Sequence, residues 1–427
     1  MSDTIFALSS GSPPAAIAVM RISGSRAFEA VTRLAGVLPA PRHATLRTLT
    51  DPDDGTALDR ALVLVFPGPA SATGEDLAEL HLHGGRAVVR GVAGALAAIP
   101  GLRAAEAGEF TRRALTNGRI DLTEAEGLAD LLAAETDAQR RAALTTAAGG
   151  LRRLVEAWTA RAVSMAAMVE AAIDHADEAD VDEDAILAGM RAEIASLARE
   201  IGVTLAQPPA ERVRDGVRVV FAGPPNSGKS TLFNKMAGRE AAITSPIAGT
   251  TRDRIEAPVS RDGIAWLLID TAGLADATDD PIEAVGIERS RAAMAAADIV
   301  LWLGDAEPPA NAVPVHARSD APHRQAVPPG RIAASGTEPR GADELWATLG
   351  RRAAQLVASG AEPLLNMRQR DLCTAAQTAL LQAAKAHDVL IVAEELRVAL
   401  GRFDALTGRA HVEAVLDALF GRFCVGK

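Results

Sequence analysis

A glycine turn that ends in Gly-Lys-Ser, set between an apolar strand and the start of a helix, is suited to holding phosphate. Residues 223–230 read Gly-Pro-Pro-Asn-Ser-Gly-Lys-Ser and follow the apolar run Val217–Ala222. Backbone N–H groups from Asn226 through Ser227, Gly228, Lys229 and Ser230 to Thr231 can wrap a polyphosphate, helped by the positive end of the helix that follows. Lys229 can neutralise the outer phosphates, and Ser230 can place its hydroxyl on magnesium. So short a pattern also arises by chance. Its weight comes from the strand before it, the helix after it and the motifs downstream.

Asp270-Thr271-Ala272-Gly273 follows the apolar stretch Trp266–Ile269. An aspartate at a strand end can hold magnesium through water, and Gly273 lets a backbone N–H approach a γ-phosphate. Alone this is a plain turn; about 40 residues after a P-loop and directly after a strand it is a nucleotide motif. Between the two lies Gly249-Thr250-Thr251-Arg252-Asp253. A threonine there can close over the nucleotide and add a second magnesium ligand, making the segment a switch ordered by the γ-phosphate. Asn226 is the unusual P-loop residue. Its side-chain carbonyl is a hard oxygen beside the phosphates, and carbonyls of Thr244–Thr250 can complete a cage for a monovalent cation. The alternative is that Asn226 bonds only its own loop. Leu274 stands where Ras-like proteins place a water-orienting glutamine, a role leucine has no group to perform. Glu283 and Glu288 just downstream are candidates for it, or are exposed helix-end carboxylates.

The base-reading segment departs from the usual Asn-Lys-x-Asp. Its best match is Ala317-Arg318-Ser319-Asp320. Asp320 can accept from a guanine N1–H and N2 amine, but Ala317 lacks the asparagine side chain that supports such a loop, a loss on the order of 1–3 kcal/mol. The last base-contacting loop is placed near Ala333–Ser335.

These motifs need a scaffold. The 427-residue chain has room for about two to four domains. Its apolar fraction of 48% supports full cores, and its net charge of -11 argues against nucleic-acid binding by bulk attraction. Two cysteines, Cys373 and Cys424, make no disulfide framework, so a reducing cytoplasm is expected. Met1–Gly11 lacks the pattern of a secretion signal, and no apolar run approaches the ~18 residues of a membrane span. Up to about Asn117 short strands (Ile17–Ile22, Leu62–Phe66) mix with helices (Val31–Leu34, Val88–Ile99), an α+β texture. From Leu122 to Gln207 the texture is helical, with Leu151, Leu154, Val155, Trp158, Ala162, Met165 and Val169 on one face and a break at Gly149-Gly150. The acidic stretch Asp174–Asp184 reads as a solvated loop rather than a metal site. From Val217 to Leu356 strands and helices alternate, which predicts a mainly parallel, doubly wound sheet. After Pro363 helices return, with Val412, Val415, Leu416, Leu419 and Phe420 as an apolar stripe. The fold class is multidomain α/β: an α+β domain over 1–118, a helical domain in two parts (119–212 and 359–427) and a nucleotide domain over 213–358 inserted between them. His81 and His83 share a strand face without further ligands nearby, so a loop role for Gly84-Gly85 is preferred to metal. Cys424 reads as a helix-end thiol rather than a nucleophile.

Taken together, the chain resembles the MnmE (TrmE) family of tRNA-modification GTPases. The resemblance rests on Val19-Met20-Arg21-Ile22-Ser23-Gly24, His83-Gly84-Gly85 and Asn117-Gly118-Arg119-Ile120-Asp121-Leu122. It rests also on the P-loop, Ile247–Asp253, Asp270–Leu274, Gly286-Ile287-Glu288 and the closing Phe423-Cys424-Val425-Gly426-Lys427. It implies an N-terminal domain that binds 5-formyltetrahydrofolate or a related tetrahydrofolate and dimerises the protein. With an FAD-carrying MnmG-type partner, such proteins place a carboxymethylaminomethyl or aminomethyl group on C5 of the wobble uridine of certain tRNAs, in the cytoplasm and without a membrane. GTP is the substrate, with magnesium and potassium. By motif, Asn226, Ser245, Ile247 and Thr250 would hold potassium, Ser230 and Thr251 magnesium, and Glu283 the attacking water. The segment Ser245, Pro246, Ile247, Ala248, Gly249, Thr250 and Thr251, with Asp270, Thr271, Ala272, Gly273 and Asp320, completes the GTP contacts. Arg21, Glu79, Arg119 and Lys427 would line the folate pocket. Arg119 and Ala317 depart from the family pattern, and one extra residue lies between Gly273 and Glu283. A ribosome-assembly GTPase switch shares the P-loop and Thr-Thr-Arg-Asp features but has no reason to carry the first domain or the closing peptide.

Overall fold

Consecutive apolar residues at Ile5, Phe6 and Ala7 point to opposite faces of a strand, while burial alternates along Ala18–Ile22, and the N-terminal part of the chain is organised around the two faces of one sheet. The computed structural model describes residues 3–174, 183–238, 256–271, 291–356, 363–409, 416, 419–421, 423 and 426, the side chains of 183–188 excepted. The acidic stretch expected as a loop lies largely outside them, as do Val412, Val415 and Cys424. The chain divides into two compact units: Met1–Ala129, Ala147–Val155 and Asp404–Lys427 form one; Asp130–Thr146 and Glu156–Phe403 form the other.

In the first unit, strands β1 (Thr4–Leu8), β2 (Ile17–Ser23), β3 (Thr45–Thr50), β4 (Ala57–Phe66), β5 (Leu77–His83) and β6 (Leu102–Ala104) form one sheet in the order β3-β4-β5-β2-β1-β6. All pairings are antiparallel except β1 with β6. Helices α1 (Ala27–Ala35) and α2 (Arg86–Ala98) contribute Val31, Leu34, Val92 and Leu96 to one core with Phe6, Met20, Ile22 and Leu80. The alternate residues Ile5 and Ala7 pack with Phe110 of α3 (Glu109–Thr116). The opposite direction of successive side chains on a strand produces these two cores. Helix α4 (Leu122–Ala133) then begins the helical stretch.

Helix α5 (Asp137–Ala147), in the second unit up to Thr146, is followed by α6 (Gly150–Asp174), in the second unit from Glu156, with Gly149 at φ 78° between the two helices. Of the expected apolar face of α6, Leu151, Val155, Trp158, Ala162, Met165 and Val169 are buried and Leu154 is half-buried. Trp158 donates its indole N–H to Glu200 at 2.9 Å and lies 6.0 Å from the Phe403 ring. Helix α7 (Glu183–Ala206) runs against a later helix, Met367–Lys385: Gln377 donates to the Ala198 carbonyl at 3.0 Å, and a Cβ on Gly202 would stand 2.6 Å from its amide nitrogen.

The short α8 (Glu211–Arg214) leads into a six-stranded sheet made of β7 (Val217–Ala222), β8 (Glu256–Arg261), β9 (Ile264–Asp270), β10 (Ile299–Trp302), β11 (Val313–Ala317) and β12 (Ile332–Ala334). The order is β12-β11-β10-β7-β9-β8, parallel but for the antiparallel edge strand β8. Helices α9 (Lys229–Ala237) and α10 (Asp343–Leu356) pack on it through Leu232, Phe233, Leu345 and Leu349, each buried side chain contributing roughly 1.5–3 kcal/mol. Phe221 and Phe233 meet edge to face at 5.7 Å. Helices α11 (Met367–Lys385) and α12 (Val389–Thr407), the latter in this unit up to Phe403, follow. The architecture is multidomain α/β, with a doubly wound nucleotide-type sheet between helical segments.

Candidate nucleotide-binding site

Strand β7 is central, flanked by β9 on one side and β10 on the other. The chain winds away from it in both directions, and in open α/β sheets that point opens a crevice at the carboxyl ends of the strands. The P-loop sits there. Gly223 at φ 146°, Asn226 at φ 58° and Gly228 at φ 97° turn the backbone from β7 into α9. A Cβ on Gly223 would stand 3.1 Å from the Gly304 nitrogen and 3.2 Å from Ser227 Oγ, so the turn closes only around a glycine. The amides of the first turn of α9 therefore point into the crevice, where helix geometry gives them no carbonyl partner.

A cavity of about 1050 Å³ opens at this end of the sheet. Asn226, Gly228, Lys229, Ser230, Thr231, Thr271 and Asp320 line it, so residues expected on three separate motifs meet in one place. Lys229 is buried, and its Nζ donates to the Gly223 and Pro224 carbonyls at 3.0 Å each, holding the ammonium over the loop. Ser227 Oγ is buried with no hydrogen-bond partner among the described residues. Such a group is costly unless a further ligand satisfies it. Asp270 ends β9 opposite Phe221 and is 5% exposed. Thr271 donates its hydroxyl to the Phe221 carbonyl at 2.7 Å, pinning that corner.

On the other side, Ala317 and Ala334 are register partners on the parallel strands β11 and β12, so the two loops that leave these strands start side by side. Ser319 N donates to Ala334 O at 3.2 Å. Thr337 donates its hydroxyl to Asp320 at 2.9 Å. Bonds from Ser335 and then Thr337 hold the Asp320 carboxyl below its usual range, an ionised acceptor at neutral pH. The last loop faces the cavity through Ala334, Gly336 and Thr337, a little beyond the stretch expected from the sequence. Arg318, at φ 61°, arches over the P-loop with its Cγ 3.3 Å from where a Gly228 Cβ would stand, and was not singled out by sequence. Its position beside the aspartate of a base-reading motif was the available signal.

The remaining expected nucleotide contacts, Ser245, Pro246, Ile247, Ala248, Gly249, Thr250 and Thr251, lie outside the described residues. So do Ala272, Gly273, Glu283 and Glu288.

A second group of expected residues belongs to the first unit. Arg21 on β2 faces Glu79 on β5 across the strand pair, with Nη2 to Oε1 at 2.8 Å. The Phe110 ring lies 5.8 Å below the guanidinium. Burial pushes the Glu79 carboxyl up, but Arg21 and His81 outweigh it and hold it below its usual range. Arg119 lies along Gly74, whose absent Cβ would stand 3.2 Å from its Cγ. Lys427 is outside the described residues, but its neighbour Gly426 packs on the end of β1 and accepts from Ser9 Oγ at 2.7 Å. His81 bonds Glu79 and His83 bonds Asp59, and among the described residues no group of acidic, histidine and cysteine side chains is placed to hold a metal.

Two family models match the chain: one described as the GTP-binding protein TrmE N-terminus over residues 4–119, the other as the MnmE helical domain over residues 122–424. A protein of Rhizorhabdus wittichii described as tRNA modification GTPase MnmE is 56% identical over 431 residues, covering 100% of this chain and 97% of its own. Proteins with the same description from Erythrobacter litoralis and Novosphingobium aromaticivorans are 53% and 49% identical, each match covering 100% of both chains.

Proposed function

The chain belongs to the MnmE family of tRNA-modification GTPases, and from that premise we propose that it is a potassium-dependent GTPase serving modification of the wobble uridine. It acts as a cytoplasmic homodimer with an FAD-carrying MnmG-type partner. Together they place a carboxymethylaminomethyl or aminomethyl group on C5 of that uridine in certain tRNAs. The observation that carries this reading is the presence of two built sites in one chain. One is the polyphosphate cradle at the carboxyl end of β7; the other is the Arg21–Glu79 pair on the sheet where the closing peptide docks. A GTPase that only gates RNA association needs the first and has no use for the second.

The residues suit their roles. The α9 amides and Lys229 bind the phosphates, and the unpartnered Ser227 hydroxyl fits a cradle meant to be filled. Ser230 and Asp270 offer hard oxygens that suit magnesium, with Thr251 as the second protein ligand. Asn226 offers the first oxygen for potassium, with Ser245, Ile247 and Thr250 beside it. Bound cations would supply positive charge against the phosphoryl oxygens. Glu283 positions the attacking water, and Asp320 reads the base. Arg21, Glu79, Arg119 and Lys427 hold a tetrahydrofolate, which would supply the one-carbon unit.

Analysis of the wobble nucleosides of tRNA from cells lacking the protein tests this. Loss of 5-substituted uridines, together with binding of 5-formyltetrahydrofolate by the purified chain, is expected. Unchanged nucleosides and no folate binding would point to the RNA-gating switch instead.

A further inference from the structure

The base-reading loop of this chain has lost the asparagine that usually braces it, yet it is tightly closed. Ala317 ends β11 at 2% exposure and carries no polar side chain. The chain then turns through Arg318, passes Asp320 and makes a single helical turn at Pro322–Arg324. At its end the Arg324 side chain reaches back, and Nε donates to the Ala317 carbonyl at 2.9 Å. The other two guanidinium nitrogens grip Asp305 at 2.8 and 2.7 Å. This forked pairing fixes the guanidinium plane as well as its position. His316 donates from Nε2 to the Arg324 carbonyl at 2.8 Å, which leaves Nδ1 to accept from Arg324 Nη2 at 3.3 Å. Arg331 in turn bonds the carbonyls of Gly304, Asp305 and Ala306 at 2.6–2.9 Å and so steadies the backbone that carries Asp305. Residues 317–324 thus form a loop whose neck is tied by one arginine, with Asp320 in the middle of the span.

We propose that Arg324, held by Asp305, is the positioning residue that sets Asp320 against the purine edge, replacing the brace an asparagine at position 317 would give. The inference rests on the reading of Asp320 as the acceptor for the base.

The experiment compares binding of GDP, IDP and pyrophosphate to the full chain. IDP lacks the 2-amino group, so the GDP-to-IDP preference reports the aspartate's placement, while pyrophosphate reports the P-loop alone. Arg324→Ala should lower that preference by roughly tenfold, the scale of a hydrogen bond to a charged group, with pyrophosphate binding unchanged. Asp305→Ala should shift it the same way, and Ala317→Asn added to Arg324→Ala should restore it. An unchanged preference in Arg324→Ala, or an equal loss for all three ligands, would overturn the proposal. Should that variant fail to fold, Asp305→Ala decides by the same criterion. If Asp320→Ala leaves the preference intact, the base-reading assignment itself is wrong; if Asp320→Ala abolishes it and Arg324→Ala does not, only the role of Arg324 is.

Discussion

Gly336 lies so close to the backbone of Thr231 that a Cβ on it would stand 2.9 Å from the Thr231 carbonyl oxygen. The last base-side loop and the first turn of α9 are therefore in direct backbone contact. The proposed phosphate cradle and base pocket meet at this approach, where the Thr231 carbonyl and its Cγ2 both crowd the Gly336 position.

Gly336→Ala should accordingly damage nucleotide binding more than a surface glycine change would. The added methyl meets the Thr231 Cγ2 at 2.8 Å and its main-chain carbonyl at 2.9 Å, so a loop must move, a strain typically worth about 1–3 kcal/mol. Titration with a fluorescent GDP analogue should read an affinity loss of about tenfold or more. Wild-type affinity would mean that the two loops are not locked together.

The Arg21–Glu79 pair predicts an acid limb in the stability of the chain. Glu79 titrates below its ordinary value of 4.5 in the folded state: burial pushes it up, and Arg21 with a contribution from His81 more than compensates. The pair's stabilisation is then complete above the unfolded value and is lost as pH falls through the lower folded one. Glu79→Gln should cost about 1–3 kcal/mol at neutral pH, read by urea unfolding followed by circular dichroism. The gap to the parent should close as pH is taken below 4.5. A gap that stays constant with pH would remove the ion pair as its cause.

What could be read beforehand followed from how local the signal is. The P-loop is one continuous segment, and Asp270 is an acid at the end of an apolar run, so both could be located by spacing alone. The face of α6 was legible because Val155, Trp158, Ala162, Met165 and Val169 repeat with the helix. Strand β8 was not, because it contains Pro258; it lies at the sheet edge, where a missing N–H is tolerated. Strand β12 is three residues long, too short for a period. The Arg324 and Arg331 braces were invisible because their partners are main-chain carbonyls and an exposed aspartate across an irregular loop. No residue type marks such carbonyls. The facing of Arg21 and Glu79 depends on the register of β2 with β5, which only the assembled sheet sets.

Cys373, inside α11, is fully buried, and its thiol is pushed up to about 12 by that burial, despite nearby Arg370 and Arg368. The thiolate is the reactive form, so the folded chain should resist thiol reagents at this position. In a Cys424→Ser background, labelling at pH 8 should require denaturant. Rapid labelling of the native protein would show that the α7–α11 packing opens readily.

Potassium dependence is tested at Asn226. This residue holds φ 58°, a conformation asparagine accepts more readily than most. Hydrolysis in potassium should exceed that in sodium, and the difference should vanish in Asn226→Ala. Because alanine at that φ adds its own strain, Asn226→Gly provides the same deletion without it. Retained potassium stimulation in the glycine variant would assign the cation to other ligands.

The last prediction separates chemistry from binding. Leucine follows Asp270-Thr271-Ala272-Gly273, so the group that orients water must come from elsewhere. A carboxylate in that role touches the transition state and contributes little to holding the ground-state nucleotide. Removing such a group lowers kcat and kcat/KM together and leaves affinity in place. Glu283→Ala should therefore reduce single-turnover GTP hydrolysis by about a hundredfold or more, with GTP affinity within about threefold of the parent. Glu288→Ala, five residues on, should leave hydrolysis nearly intact. If the two variants behave alike, or if Glu283→Ala loses affinity in step with its rate, Glu283 is a structural carboxylate and the water is held by another group.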